Sequence, residues 1–136
     1  IVTPHPGEAS RLAGVPTGEI ESDRVGWATA LAERYAGVVV LKGAGTVIAS
    51  PDKDDKPHIC AGGNPGMATG GMGDVLAGLI GALVAQGLSH MEASTFGVAT
   101  HARAGDLAWE RHGVGLTAAD VAESLGVALS HMAPSA

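Results

Sequence analysis

Gly62-Gly63-Asn64-Pro65-Gly66-Met67-Ala68-Thr69-Gly70-Gly71-Met72-Gly73-Asp74 runs without a break into Val75-Leu76, Leu79-Ile80 and Leu83-Val84, apolar pairs at the spacing of a helix. The first backbone N–H groups of a helix have no intrahelical acceptor, and glycines without side chains let a phosphate come close to them. A glycine tract emptying into an apolar helix therefore predicts an anion hole made of main chain, with amides from Gly70, Gly71, Met72 and Gly73 and one carboxylate, Asp74, at its mouth. The plainer alternative is a turn in which Asp74 only caps the helix and complements its dipole, worth roughly 0.5–2 kcal/mol. The tract is richer in glycine than a cap requires, which favours the anion hole. In that reading Asp74 is placed to accept a proton from a hydroxyl held against it.

Outward from the tract, strands and helices alternate. Val38-Val39-Val40-Leu41 is a continuous run of the kind that lies in a parallel sheet buried on both sides. Thr46-Val47-Ile48-Ala49 is predicted to pair with it as a hairpin across Gly43-Ala44-Gly45, and His58-Ile59-Cys60-Ala61 to form a short strand entering the tract. Helices are predicted over Gly7–Ala13, over Asp23–Ala36 with Ser22 as N-cap and Gly37 as stop, over Asp74–Ala85, and from Ser89 or His90 toward Ala108. Thr117-Ala118-Ala119-Asp120 has the form of a capping box ahead of a final helix, with Asp where Glu is usual. The sum is an α/β layered fold, read as one domain over residues 1–136. The opening Ile1-Val2-Thr3-Pro4 reads like the end of a strand already inside a larger fold.

Two further segments offer chemistry. Lys42-Gly43-Ala44-Gly45-Thr46 lies between two strands, where backbone amides, the Thr46 hydroxyl and the Lys42 charge could cradle a nucleotide; a tight hairpin with Lys42 in solvent is the alternative. It does not have the Gly-x-x-x-x-Gly-Lys-[Ser/Thr] pattern, nor does Gly-x-Gly-x-x-Gly open a helix anywhere in the manner of a dinucleotide fold. In Thr3-Pro4-His5-Pro6-Gly7-Glu8, His5 is held between two prolines at a strand end, suited to a ligand contact but equally to a surface turn. Glu8 reads as a favourable charge in the first turn of its helix.

Composition narrows the class. The 136 residues carry 8 basic and 14 acidic side chains, a formal charge of −6, and no basic stripe, which excludes nucleic acid as an expected partner. No apolar run reaches membrane-spanning length, and the single cysteine, Cys60, forms no internal disulfide and reads as a small buried hydrophobe; the expectation is a cytoplasmic protein. His101 and Asp106 lie five apart on one helix and His90, His112 and His131 are scattered, so no metal-ligand set is predicted. Trp27, Trp109 and Tyr35 read as core or interface residues.

Taken in order, Val2 to Glu8, Val40 to Ile48 and Gly63 to Gly78 resemble the successive motifs of the ADP-dependent NAD(P)H-hydrate dehydratases, members of the ribokinase-like superfamily. Gly71-Met72-Gly73-Asp74-Val75-Leu76-Ala77-Gly78 is the most specific part. The superfamily shares a Gly-x-Gly-Asp element, so the Thr-Pro-His-Pro-Gly-Glu and Lys-Gly-Ala-Gly-Thr segments separate the dehydratases from hydroxymethylpyrimidine and thiazole kinases. The resemblance implies a ribokinase-like three-layer α/β/α fold with a mostly parallel sheet, of which residues 1–136 are the C-terminal portion. It implies dehydration of the S epimer of NAD(P)H hydrate with conversion of ADP to AMP and phosphate, ADP (or ATP) being the co-substrate and Mg²⁺ accompanying the nucleotide. It assigns Lys42, Gly43, Ala44, Gly45, Thr46 and Gly73 to the adenine nucleotide, His5 and Asp74 to the hydrated cofactor, and Asp74 to catalysis. It also implies a homo-oligomer, a tetramer in the family. About as many residues again precede the Thr-Pro-His-Pro segment in such domains, so the 136 residues alone are expected to be weakly active or inactive. The alternatives are a small-molecule kinase of the same superfamily and a nucleotide-binding module without catalysis.

Overall fold

Short loops between β-branched runs decide the sheet. The computed structural model describes residues 1–132, in two units: Ile1–Ala61 with Ser89–Thr95, and Gly62–Leu88 with the residues from Phe96 onward. In the first unit β1 (Val39–Leu41), β2 (Thr46–Ala49) and β3 (His58–Cys60) form a sheet in the order β1-β2-β3. Both ladders are antiparallel, with Val40 opposite Ile48 and Val47 opposite Ile59. The α/β class holds, and within this portion of the sheet the two ladders between named strands are antiparallel while the Val2–Val39 bridge is parallel. Strands joined by a few residues can only fold back, whereas a parallel pair needs a crossover of a dozen residues or more. The chain makes one such crossover in this unit: Val2 bridges Val39 in parallel, after which α1 (Pro6–Ala13), α2 (Thr17–Ser22) and α3 (Arg24–Tyr35) lead back to β1.

Alternation along the strands sends Val39, Leu41, Val47 and Ala49 into a core with Ala9, Ile20, Ala28, Leu31 and Ala32 from the three helices. Ile20 and Leu31 are essentially fully buried, each contributing roughly 1.5–3 kcal/mol of transfer free energy. Val40 and Ile48, pointing the other way, are buried as well, so β1 is enclosed on both faces as its unbroken run implied. Six-residue α2, with a single buried side chain, is too short to show a helical period and was not anticipated. It displaces the expected cap of α3. Ser22 closes α2, its hydroxyl donating to the Glu19 carbonyl, and Asp23 caps α3 by accepting from the Gly26 amide at 2.9 Å. At the other end Ala36, not Gly37, takes the left-handed conformation (φ 49°). Val25 and Tyr35 are exposed, the Tyr35 hydroxyl donating to the Leu12 carbonyl, and Cys60 is half-buried.

The second unit is helical. A 3₁₀ turn (Pro65–Met67) leads to α4 (Met72–Ala85), two residues earlier than expected; α5 (His90–His112), which belongs to this unit from Phe96 onward, and α6 (Ala118–Met132) follow. The capping box is present: the Asp120 carboxylate accepts from the Thr117 N–H at 2.8 Å and the Thr117 hydroxyl oxygen accepts from the Asp120 N–H at 3.4 Å. Met72, Ala104, Leu107, Ala108, Leu116, Val121 and Ala128 make its core, with Met67, Val75 and Trp109 packed against it. Among the described residues no helix is long and apolar enough to cross a membrane.

Candidate functional site

In the first unit the backbone brings two of the three motifs together. The Val2 N–H donates to the Val38 carbonyl at 2.9 Å, and the Lys42 N–H donates to the Pro4 carbonyl at 2.8 Å, so the His5 segment lies beside the Lys42 turn. Pro6 starts α1 where its missing N–H costs nothing, and His5 caps it: Nδ1 accepts from the Gly7 and Glu8 amides at 3.1 and 3.3 Å. An accepting Nδ1 puts the ring proton on Nε2, which faces a Glu8 carboxylate oxygen at 3.6 Å. His5 is thus first a helix cap, and its exposed Nε2–H is what remains for a ligand.

Glu8 does more than complement a dipole. Its carboxylate accepts from the His5 N–H at 2.7 Å and stands 3.8 Å from Lys42 Nζ. The His5 N–H bond holds its carboxyl below the ordinary range; burial opposes this slightly, and the Lys42, His5 and Arg11 charges add to the lowering. One acid thereby orients both a candidate substrate contact and a candidate nucleotide contact.

Arg24 was also missed. From the first turn of α3 its guanidinium donates to the carbonyls of Leu41 (3.1 Å), Lys42 (3.3 Å) and Gly45 (3.3 Å), gripping the Lys42 turn by its main chain. A side chain at Gly43 would meet that guanidinium at 2.7 Å. The available signal was a cation at a helix N-terminus, where the dipole disfavours it and some other interaction has to hold it. With these carbonyls tied down, the Gly43, Ala44 and Gly45 amides make no hydrogen bond among the described residues. The Thr46 hydroxyl donates to the Gly43 carbonyl at 3.0 Å, so its lone pairs, not its proton, face outward chemistry.

In the second unit Gly71 turns the chain into α4 with φ 86°, and no side chain caps the helix. The Asp74 and Val75 amides fold back on the Gly71 carbonyl, each at 3.1 Å. The amides of Gly70, Gly71, Met72 and Gly73 have no acceptor within hydrogen-bond geometry among the described residues. Asp74, exposed in the first turn of α4, makes no hydrogen bond with its carboxylate among the described residues. Beneath the tract, Asn64 accepts from the Gly66 N–H at 3.1 Å and donates to Asp106 on α5 at 3.0 Å. His101, one turn away on α5, is 8% exposed with Nε2 unpartnered; burial pushes its pKa down, against the backbone of Met72. No group of three or more His, Cys, Asp or Glu among the described residues could hold a metal ion.

The α/β fold that carries these two glycine turns is the ribokinase-like one, as solved structures show. A Bacillus subtilis ADP/ATP-dependent NAD(P)H-hydrate dehydratase, co-crystallised with ATP and Mg²⁺, matches 96% of this chain and 47% of its own at TM-score 0.88 and 32% identity. A ribokinase-like superfamily protein from Enterococcus faecalis matches 96% of the chain at TM-score 0.81 and 30% identity. The NAD(P)H-hydrate dehydratase family model matches residues 1–126, and the chain belongs to that family. Among curated relatives, a bifunctional NAD(P)H-hydrate repair enzyme of Coxiella burnetii is 52% identical over 93% of this chain and 26% of its own length. An ADP-dependent (S)-NAD(P)H-hydrate dehydratase of Neisseria meningitidis is 41% identical over 90% and 41%. The chain therefore spans well under half the length of these curated relatives.

Proposed function

We propose that this chain is the C-terminal part of a single ribokinase-like domain that dehydrates (S)-NAD(P)H hydrate to NAD(P)H, with ADP leaving as AMP and phosphate. The observation that carries the reading is the row of unpartnered amides from Gly70 to Gly73 running into a helix whose first turn presents Asp74. Hydroxide is a poor leaving group, so transfer of a phosphoryl group to the ring hydroxyl must come first. In this mechanism Asp74 accepts the hydroxyl proton as the oxygen attacks, and the Gly70–Gly73 amides hold the charge on the transferred group. Electron density from the ring nitrogen then expels phosphate to leave an iminium ion, and loss of a proton from the adjacent ring carbon to solvent restores the dihydronicotinamide. Lys42, the Gly43–Gly45 amides and Thr46 bind the nucleotide, and the His5 Nε2–H contacts the hydrated cofactor. Mg²⁺ fits as an ion carried by the nucleotide, because it retains water and needs one or two carboxylates at most; Glu8, beside Lys42, is the acid at hand. A homo-oligomer is part of the same proposal.

The test is to incubate the full-length protein with (S)-NADPH hydrate and ADP and follow NADPH and AMP. A kinase would instead return a stable phosphorylated alcohol. Asp74→Asn keeps a helix-compatible side chain but no base, so turnover should fall about 10²–10⁴-fold with little change in ADP affinity. Unchanged turnover would leave Asp74 as a cap alone.

A further inference from the structure

The tract between Gly62 and Asp74 is the most glycine-rich segment of the chain, and glycine leaves it the most to lose in conformational freedom on ordering. Something must fix it if its amides are to converge. Met67 and Met72 pin it to the core of the second unit by apolar contact, but such contact does not set orientation. One polar interaction does. The Asn64 side chain uses both its ends, accepting from the Gly66 N–H and donating from Nδ2 to Asp106 Oδ1 at 3.0 Å, and both partners are half-buried. A carboxylate only accepts, so Asp106 dictates which way the Asn64 amide faces, and thereby presents its oxygen to the 3₁₀ turn at Pro65–Met67. Asp106 sits on α5 with Gly105 and Trp109, against which Met67 and Gly66 are packed, so the brace acts at the point where the tract meets a rigid helix.

We propose that Asp106 is a positioning residue for the phosphate-binding tract: through Asn64 it fixes the main-chain path that carries the Gly70–Gly73 amides and Asp74 into register. Its kinetic consequence rests on the dehydratase reading, but its geometric consequence does not. In the full-length protein, Asp106→Ala, Asp106→Asn, Asn64→Asp and the reciprocal double variant Asn64→Asp/Asp106→Asn are compared by hydrate turnover, calorimetric titration with ADP and deuterium uptake at residues 63–73. The double variant makes position 64 the acceptor of both hydrogen bonds and position 106 the donor.

The expected result for Asp106→Ala is faster exchange at Gly66–Ala68, whose amides are hydrogen-bonded, weaker ADP binding, and a loss in kcat of about a hundredfold, the scale of an ångström-level misplacement. Asp106→Asn, which can still accept from Asn64, should lose less, and the reciprocal pair should recover most of the loss and the slow exchange. A merely structural role would lower the melting temperature of Asp106→Ala while leaving kcat of the folded enzyme and tract exchange unchanged, and that outcome overturns the proposal. So does a reciprocal pair no better than Asn64→Asp alone, a comparison that stands even where Asp106→Ala does not fold. If wild-type protein binds ADP but leaves the hydrate untouched, the dehydratase reading fails and the exchange and ADP data still decide on Asp106.

Discussion

Replacing Gly105 with alanine sets two magnitudes against each other. In the interior of α5 the exchange should by propensity alone stabilise the helix by about 1 kcal/mol. A Cβ at position 105, however, would stand 2.2 Å from Met67 Sδ, 2.7 Å from Cε and 2.9 Å from Cγ. Three atoms of one side chain cannot all be cleared by turning its last bond. Met67 has to leave its place, and overpacking of this kind costs about 1–3 kcal/mol. The net expectation from those two terms is destabilisation by about 0–2 kcal/mol, in place of the gain that propensity alone would give. Gly126→Ala in α6 is the control, because nothing lies within 4 Å of its added Cβ, and it should gain about 0.5–1 kcal/mol. Met67→Ala alone leaves a partly filled hole and costs about 2 kcal/mol, while Met67→Ala/Gly105→Ala lets the new methyl group occupy that space. The pair should then be more stable than the sum of its singles by about 1–3 kcal/mol. Urea unfolding with the m-value held as a check measures all four. A rise in midpoint for Gly105→Ala matching that of Gly126→Ala, or strict additivity with Met67→Ala, would refute the packing argument.

Arg24→Ala should free the carbonyls of Leu41, Lys42 and Gly45, cost about 2 kcal/mol because the turn can still reach water, and weaken ADP binding in calorimetry. Gly71→Ala forces a side chain into φ 86° with its Cβ 3.0 Å from that of Ala118; about 1–2 kcal/mol of stability should be lost in urea, together with ADP affinity. His101 binds a proton less readily folded than unfolded, so its effect is absent above pH 6.5 and stability falls as the pH drops from there toward its lower folded value. His101→Phe should flatten thermal melting over that window. Glu8, Glu92 and Asp120 have lowered pKa values and favour the fold above their ordinary range, so their loss appears only at more acid pH, below about 4.5.

Elements with a long period or an unbroken run were legible from residues alone: β1, the β1–β2 hairpin, α4, α5 and the capping box at Thr117. The misses have local causes. Cap competition between Ser22 and Asp23 is undecidable without knowing that α2 exists, and α2 carries too few residues to announce itself. The unbroken run of β1 signals burial on two faces, and loop length carries the direction of its neighbours: a short turn folds β2 back antiparallel, and the long crossover through three helices sets Val2 beside Val39 in parallel. At the site, glycine and lysine mark where a phosphate could lie, since those positions must be bare or charged. Glu8, Arg24 and Asp106 act through partners 34, 17 and 42 residues away, in Lys42, Leu41 and Asn64, and no spacing rule reaches that far.

Those three residues share a physical logic. A turn that offers free amides to an anion must be low in side chains, yet a segment low in side chains has little with which to hold itself, so its rigidity has to be supplied from outside. In the first unit Arg24 supplies it by binding carbonyls, which leaves the Gly43–Gly45 amides unspent, and a donor in its place could do nothing else to a turn whose donors are reserved. In the second unit Asp106 works through an asparagine, using the Gly66 amide upstream and none from Gly70 to Gly73. Braces that consumed the working amides would stabilise each turn equally well and abolish its affinity. The chemistry of each brace, cation to carbonyl and carboxylate to carboxamide, follows from which backbone groups had to remain free, and the double variants at 64 and 106 test that inference apart from stability.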